Sequence, residues 1–211
     1  MYQLNNSSMF NTSTSLMSVH GSNRCDIDYS KIIYKINNDK VIGLNIWEPS
    51  GHEKYNSLSK NFYQNTQMAI LMYDITNLES FKKVDFWLSH LKNNCETFTK
   101  YALVGNKSDL SLKRKVSVET GKNYSLYNKF DLFCEISANT GNGIHLLFQN
   151  VAILLYNQII DYQKYLSTSA GGTTNSSIIG NNDTTIFLIG DGMNQEFKKE
   201  IEKINKKNCS C

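Results

Sequence analysis

A chain of 211 residues, 40% hydrophobic and carrying a net charge of only +3, has the material for one compact domain plus tails and is no wholly disordered polymer. So small a charge gives no electrostatic ground for a nucleic-acid partner. No apolar run nears the roughly 20 residues of a bilayer span, Val151–Tyr156 being among the longest.

Residues 1–28 are rich in Asn, Ser and Thr without helical or strand period, which predicts a poorly ordered polar arm. They lack the basic region and apolar block of a secretory signal, and position 2 is Tyr rather than the Gly that myristoylation needs. The expectation is a cytosolic chain. Five cysteines fit that reading, because an odd number without a secretory signal argues against a disulfide framework.

Two apolar-alternating stretches, 31–36 and 40–47, meet at Asn37-Asn38-Asp39 and predict a β-hairpin. The continuous apolar run 68–73 predicts a strand buried on both faces of a parallel sheet. Over 79–93, Phe81, Val84, Trp87, Leu88 and Leu91 recur at helical spacing. A second buried strand follows at 101–104, then a helix over 118–129, a short strand at 132–134 and a helix from 143 to about 163. Strands alternating with amphipathic helices indicate an α/β doubly wound sheet, with ligands at the carboxyl ends of its strands. From 167 to 183 the composition turns to Ser, Thr, Gly and Asn, as in a flexible linker. An apolar patch at 186–189 and a charged stretch at 196–207 precede the final Asn-Cys-Ser-Cys.

Two strand ends carry chemistry. After the strand at 101–104 comes Asn106-Lys107-Ser108-Asp109. A carboxylate offers two acceptors and can grip two adjacent N–H groups. Guanine presents such a pair and adenine does not, so Asp109 would select guanine. Asn106 would brace the site, and the Lys107 stem would lie over the base. After the next strand comes Glu135-Ile-Ser-Ala-Asn139, where backbone N–H groups of the turn could donate to the guanine carbonyl. Alone, that second stretch reads as an ordinary β-to-α turn capped by Ser137.

With Trp47-Glu-Pro-Ser-Gly-His-Glu53 and Tyr73-Asp-Ile-Thr76, these segments resemble the Rab family of small GTPases from about residue 28 to 156. The resemblance implies the small-GTPase, P-loop NTPase-like sheet and the following division. Residues 1–28 would be the arm, 29–165 an incomplete G domain, 166–208 a flexible hypervariable tail and 209–211 a prenylation motif. It implies GTP or GDP with Mg²⁺ as ligand, with Asn106, Lys107, Asp109, Ser137, Ala138 and Asn139 around the base. Asn139 stands where the family has lysine. Glu48 and Gly51 would sense phosphate and metal, although no residue is a certain metal ligand. His52 stands at the family's water-positioning glutamine. Cys209 and Cys211 would carry geranylgeranyl groups, two chains being what stable anchoring requires. Lys198, Lys199, Lys203, Lys206 and Lys207 would add weak attraction to anionic lipid, diluted by Glu200 and Glu202. A metal or redox pair is the other reading of Cys-x-Cys. The implied partners are Rab effectors, meeting the hairpin and the surroundings of Trp47, Phe62 and Tyr63, aromatics that equally fit a core, together with prenylation escort and membrane-extraction proteins. The implied place is the cytoplasmic face of a Golgi or endosomal membrane.

The sequence also departs from that pattern. The Gly-x-x-x-x-Gly-Lys-Ser/Thr loop that cradles phosphates is missing before the hairpin, and with it the first strand and first helix. Glu48 moves the metal-holding carboxylate outward by a methylene, and Pro49 fixes φ where a switch must move. Thr184–Ile189 followed by Gly190-Asp191-Gly192 is a weak candidate for the missing strand, without the Gly-Lys-Ser of a phosphate loop. Three readings follow: a vesicle-traffic GTPase with impaired or absent hydrolysis, a non-catalytic lipidated scaffold, and a chain whose encoded start is incomplete.

Overall fold

The computed structural model describes residues 27–37, 40–49, 63, 66–169 and 183–190, and structural statements below concern these. The predicted arm up to residue 26, the switch stretch at 50–62, the linker at 170–182 and everything after 190 lie outside them.

The hairpin consists of β1 (Ile27–Asn37) and β2 (Lys40–Pro49), paired antiparallel with a register shift between Lys35 and Asn37. Alternation places Ile32, Tyr34, Ile42, Leu44 and Ile46 inside, all at 2% exposure or less. The strand β3 (Met68–Asp74) is buried at every residue, which explains its unbroken apolar sequence. Met68, Ile70 and Met72 enter one core, whereas Ala69, Leu71 and Tyr73 enter the other. The strands β4 (Lys100–Asn106) and β5 (Leu132–Glu135) continue the sheet in parallel.

Helix α1 (Leu78–Asn94) starts where Asn77 accepts from the backbone N–H groups of Glu79 and Ser80, and it buries Val84, Leu88 and Leu91. Helix α2 (Val118–Tyr127) is capped by Ser117 through the Thr120 N–H. These elements cover one face of the sheet. On the other, α3 (Ile144–Ser169) packs Leu147, Phe148, Val151, Ala152 and Leu155 against the hairpin and β3. Trp87 is half-buried at the border of the first layer, edge-on to Phe86 and His90.

The main departure concerns the central strand. A sixth strand, β6 (Asp183–Gly190), lies between β2 and β3 and pairs with both in parallel, giving the order β1-β2-β6-β3-β4-β5. The place of the missing first strand is thus filled from the carboxyl-terminal part of the chain, by the segment that held the weak candidate Thr184–Ile189. The stretch expected as tail from 166 onward accordingly begins with three more residues of α3 beyond its first, up to Ser169, and contains a strand. Gln158, in the second half of α3, donates to the carbonyl of Phe98 just before β4 at 2.7 Å, so α3 runs toward the amino edge of the sheet, the edge at which β6 must begin. No described helix is long and apolar enough to cross a membrane.

Candidate functional site

Because β3, β4 and β5 are parallel, their ends share one edge of the sheet. Asp74 stands beside Asn106 in register, and Gly105 beside Glu135. The two motifs separated by some thirty residues therefore become neighbours.

Asn106 is fully buried. Its side-chain carbonyl accepts from its neighbour Lys107 N–H at 2.7 Å and from the Ala138 N–H at 2.9 Å, tying the β4 loop to the β5 turn. Lys107 sits at φ 65°, a left-handed conformation that turns the chain sharply after the strand. Its Nζ lies 2.6 Å from the Asp74 carboxylate. Asp74 also accepts from the Thr76 N–H and hydroxyl, at 2.8 and 2.7 Å. Burial pushes the Asp74 carboxyl up, but the bonds from Lys107 and Thr76 outweigh it and hold the group below its ordinary value.

Asp109 lies exposed in a 3₁₀ segment, Ser108–Lys113. One of its oxygens accepts from the Ser137 hydroxyl at 2.5 Å, and the Asn139 amide stands 3.5 Å from the other. The Ser108 N–H donates to the Ile136 carbonyl at 3.0 Å, closing the same junction through the backbone. Each carboxylate oxygen keeps further lone-pair capacity, so Asp109 is oriented while still able to accept from a base.

The β5 turn is shaped by internal bonds. The Ser137 N–H donates to Asn142 O, and the Thr140 N–H to Ser137 Oγ. Gly143 takes φ 79° where the chain enters α3, and a Cβ there would lie 3.1 Å from the Glu135 carbonyl. The expectation that several turn N–H groups face a base is corrected here. Those of Ser137 and Ala138 are engaged within the protein, leaving the Asn139 N–H as the donor of that stretch among the described residues.

Sequence reasoning missed one pair. Arg114 grips Glu135 with both guanidinium arms, at 2.6 and 2.7 Å, and also donates to the Val116 carbonyl at 3.0 Å. The bond to Glu135 raises the Arg114 pKa further. This fork joins the segment after Asp109 to the strand before Ser137, so both motifs are held from outside as well as through Asn106. The available signal was position alone, an arginine and a glutamate flanking the two motifs.

Glu48 is half-buried near the end of β2, next to Trp47, which pairs with Phe187 of β6. Tyr63 is a core residue rather than surface, with its ring 5.3 Å from His90 and its phenol pushed up to about 12 by burial. Gly51, His52, Phe62, Cys209 and Cys211 lie outside the described residues.

The Ras family model matches residues 14–157, more than half of the chain. The chain belongs to the Ras family. That match starts inside the stretch predicted as a polar arm. Ras-related protein Rab-11B of Dictyostelium discoideum is 32% identical over 154 residues, covering 72% of this chain and 69% of the relative. Rab-11A of the same organism is 32% identical over 149 residues, covering 71% and 66%. Within the Ras family the domain is therefore Rab-like, a group whose general ligand is a guanine nucleotide with Mg²⁺.

The base-facing half of this Ras-family domain fits such a ligand. Asn106 is satisfied, Asp109 is oriented and exposed, and an N–H of Asn139 remains. The central strand is β6, and the sequence after it, Asp191-Gly-Met-Asn-Gln-Glu196, contains neither a lysine nor a hydroxyl to hold phosphate and metal.

Proposed function

We propose that this Rab-like domain is a membrane-anchored module of vesicle traffic, one that recognises guanine but holds the triphosphate weakly and hydrolyses GTP poorly or not at all. One observation carries the reading: Asn106 and Asp109 of the β4 loop are bonded directly to Ala138 and Ser137 of the β5 turn. A base placed against that junction would be read by the two Asp109 oxygens and the Asn139 N–H. Adenine would leave the carboxylate unpaired. Among the described residues nothing comparable supports the phosphate side, and His52 at the family's glutamine position further disfavours water activation. Effectors would then dock on the domain without a strong dependence on nucleotide state.

The anchor would be geranylgeranyl groups on Cys209 and Cys211, recognised by prenylation escort and membrane-extraction proteins, at the cytoplasmic face of a Golgi or endosomal membrane. Support for this comes from the terminal Cys-Ser-Cys and from the Rab kinship. Titration with a fluorescent GTP analogue and Mg²⁺ tests the nucleotide reading. The expected dissociation constant is weaker than about 10 μM, roughly 7 kcal/mol; a submicromolar value refutes it.

A further inference from the structure

We propose that the carboxyl edge of the sheet, the edge bearing the guanine motif, is the face that this protein turns toward a lipid bilayer. The inference rests on the lipid-anchor reading above and adds an orientation to it.

Chain connectivity provides the first argument. The last described residue of β6, Gly190, pairs with Met72, two residues before β3 ends at Asp74. The strands are parallel, so the chain leaves β6 at the same edge as Asn106 and Asp109. Cys209 is only 19 residues farther on, at most about 65 Å of extended chain. A tail leaving the end of α3 would instead depart from the amino edge. Insertion of β6 as the central strand has moved the point of departure across the domain.

Exposed side chains provide the second. The 3₁₀ segment at this edge presents Leu112 wholly to solvent, with Leu110 at 37% exposure. Lys113 and Lys115 flank them and are exposed. The Lys115 N–H bonds the Ile75 carbonyl, which places this segment beside the end of β3 and so close to where β6 ends. Arg114 and Lys107 are committed to Glu135 and Asp74, and the exposed Asp109 and Glu119 offset the two lysines. Charge therefore contributes little, and insertion of Leu112 beside the lipidated tail carries the contact.

The test uses the full chain purified from eukaryotic cells and vesicles of phosphatidylcholine with phosphatidylserine. The anchored protein is expected to partition onto them, and Leu112→Asp to weaken partition roughly tenfold, as loss of one inserted leucine requires. Because Leu112 touches no core, its urea midpoint should be unchanged. Phe98→Asp, a half-exposed residue at the amino edge, should partition like the parent. Equal partition of Leu112→Asp and the parent overturns the orientation and leaves the anchor standing. A tenfold loss with Phe98→Asp but none with Leu112→Asp overturns it by reversing the face. If Cys209→Ser/Cys211→Ser binds as well as the parent, the anchor reading fails, and the tether argument with it. A parent that stays off vesicles overturns both.

Discussion

Replacing Ile186 by proline removes one backbone N–H from the middle of β6 and leaves everything outside that strand untouched. Ile186 faces Ile46 of β2 on one side and Met68 of β3 on the other, so its N–H lies inside the sheet whichever neighbour it serves. Losing the bond costs about 1 kcal/mol, and the stranded acceptor adds about 1–3 kcal/mol because it is cut off from water. With the steric misfit of the ring, the total is about 3–5 kcal/mol, against about 5–15 kcal/mol for a whole domain. Ile186→Val keeps the backbone donor and serves as the control. Urea unfolding followed by tryptophan fluorescence provides the assay, since Trp47 and Trp87 both pack against the second core cluster. Unfolding of Ile186→Pro at a much lower midpoint, or none of its signal native, is the expected result. A midpoint equal to the parent's would refute the assignment of residues 183–190 to the central position.

Other consequences follow from the site. Arg114→Ala should destabilise by about 2 kcal/mol, less than for a wholly buried pair, since the side chains are 22% and 13% exposed; adding Glu135→Ala should recover part of the loss in a thermal or urea series. Asp109→Asn should weaken guanosine and strengthen xanthosine, whose extra carbonyl suits an amide donor, by about tenfold each in a chemical-shift titration. The folded carboxyl of Asp74 titrates below its unfolded value near 3.8, so the unfolded chain takes up its proton first as pH falls. Its contribution is therefore complete above the unfolded value and disappears as pH falls through the folded one. Lys107→Met, which removes the main opposing bond, should move the acid unfolding midpoint to higher pH.

The elements legible in the sequence were those whose periodicity is local. The run 68–73 reads as a doubly buried strand because all seven residues of β3 are covered, and α1 reads as a helix because Val84, Leu88 and Leu91 recur on one side. β6 was only a weak candidate, since its partners, β2 and β3, lie more than a hundred residues away and its flanks are polar. The candidate guanine motif could be named from Asn106 and Asp109 because those residue types carry their chemistry in the side chain. Which turn N–H groups remain free was not legible, because it depends on backbone geometry: Ala138 donates to Asn106 and Ser137 to Asn142. The Arg114–Glu135 fork spans 21 residues and needs β4 and β5 side by side before it exists.

The proposed separation of a base site that binds from a phosphate site that does not is tested most directly by one calorimetric series: guanosine, GMP, GDP and GTP, the last two with Mg²⁺, titrated into the same preparation. The account predicts affinities within about tenfold of one another, about 1.4 kcal/mol, because only the base is gripped. GTP or GDP binding a thousandfold or more tighter than guanosine, about 4 kcal/mol, would show a working phosphate cradle and contradict it.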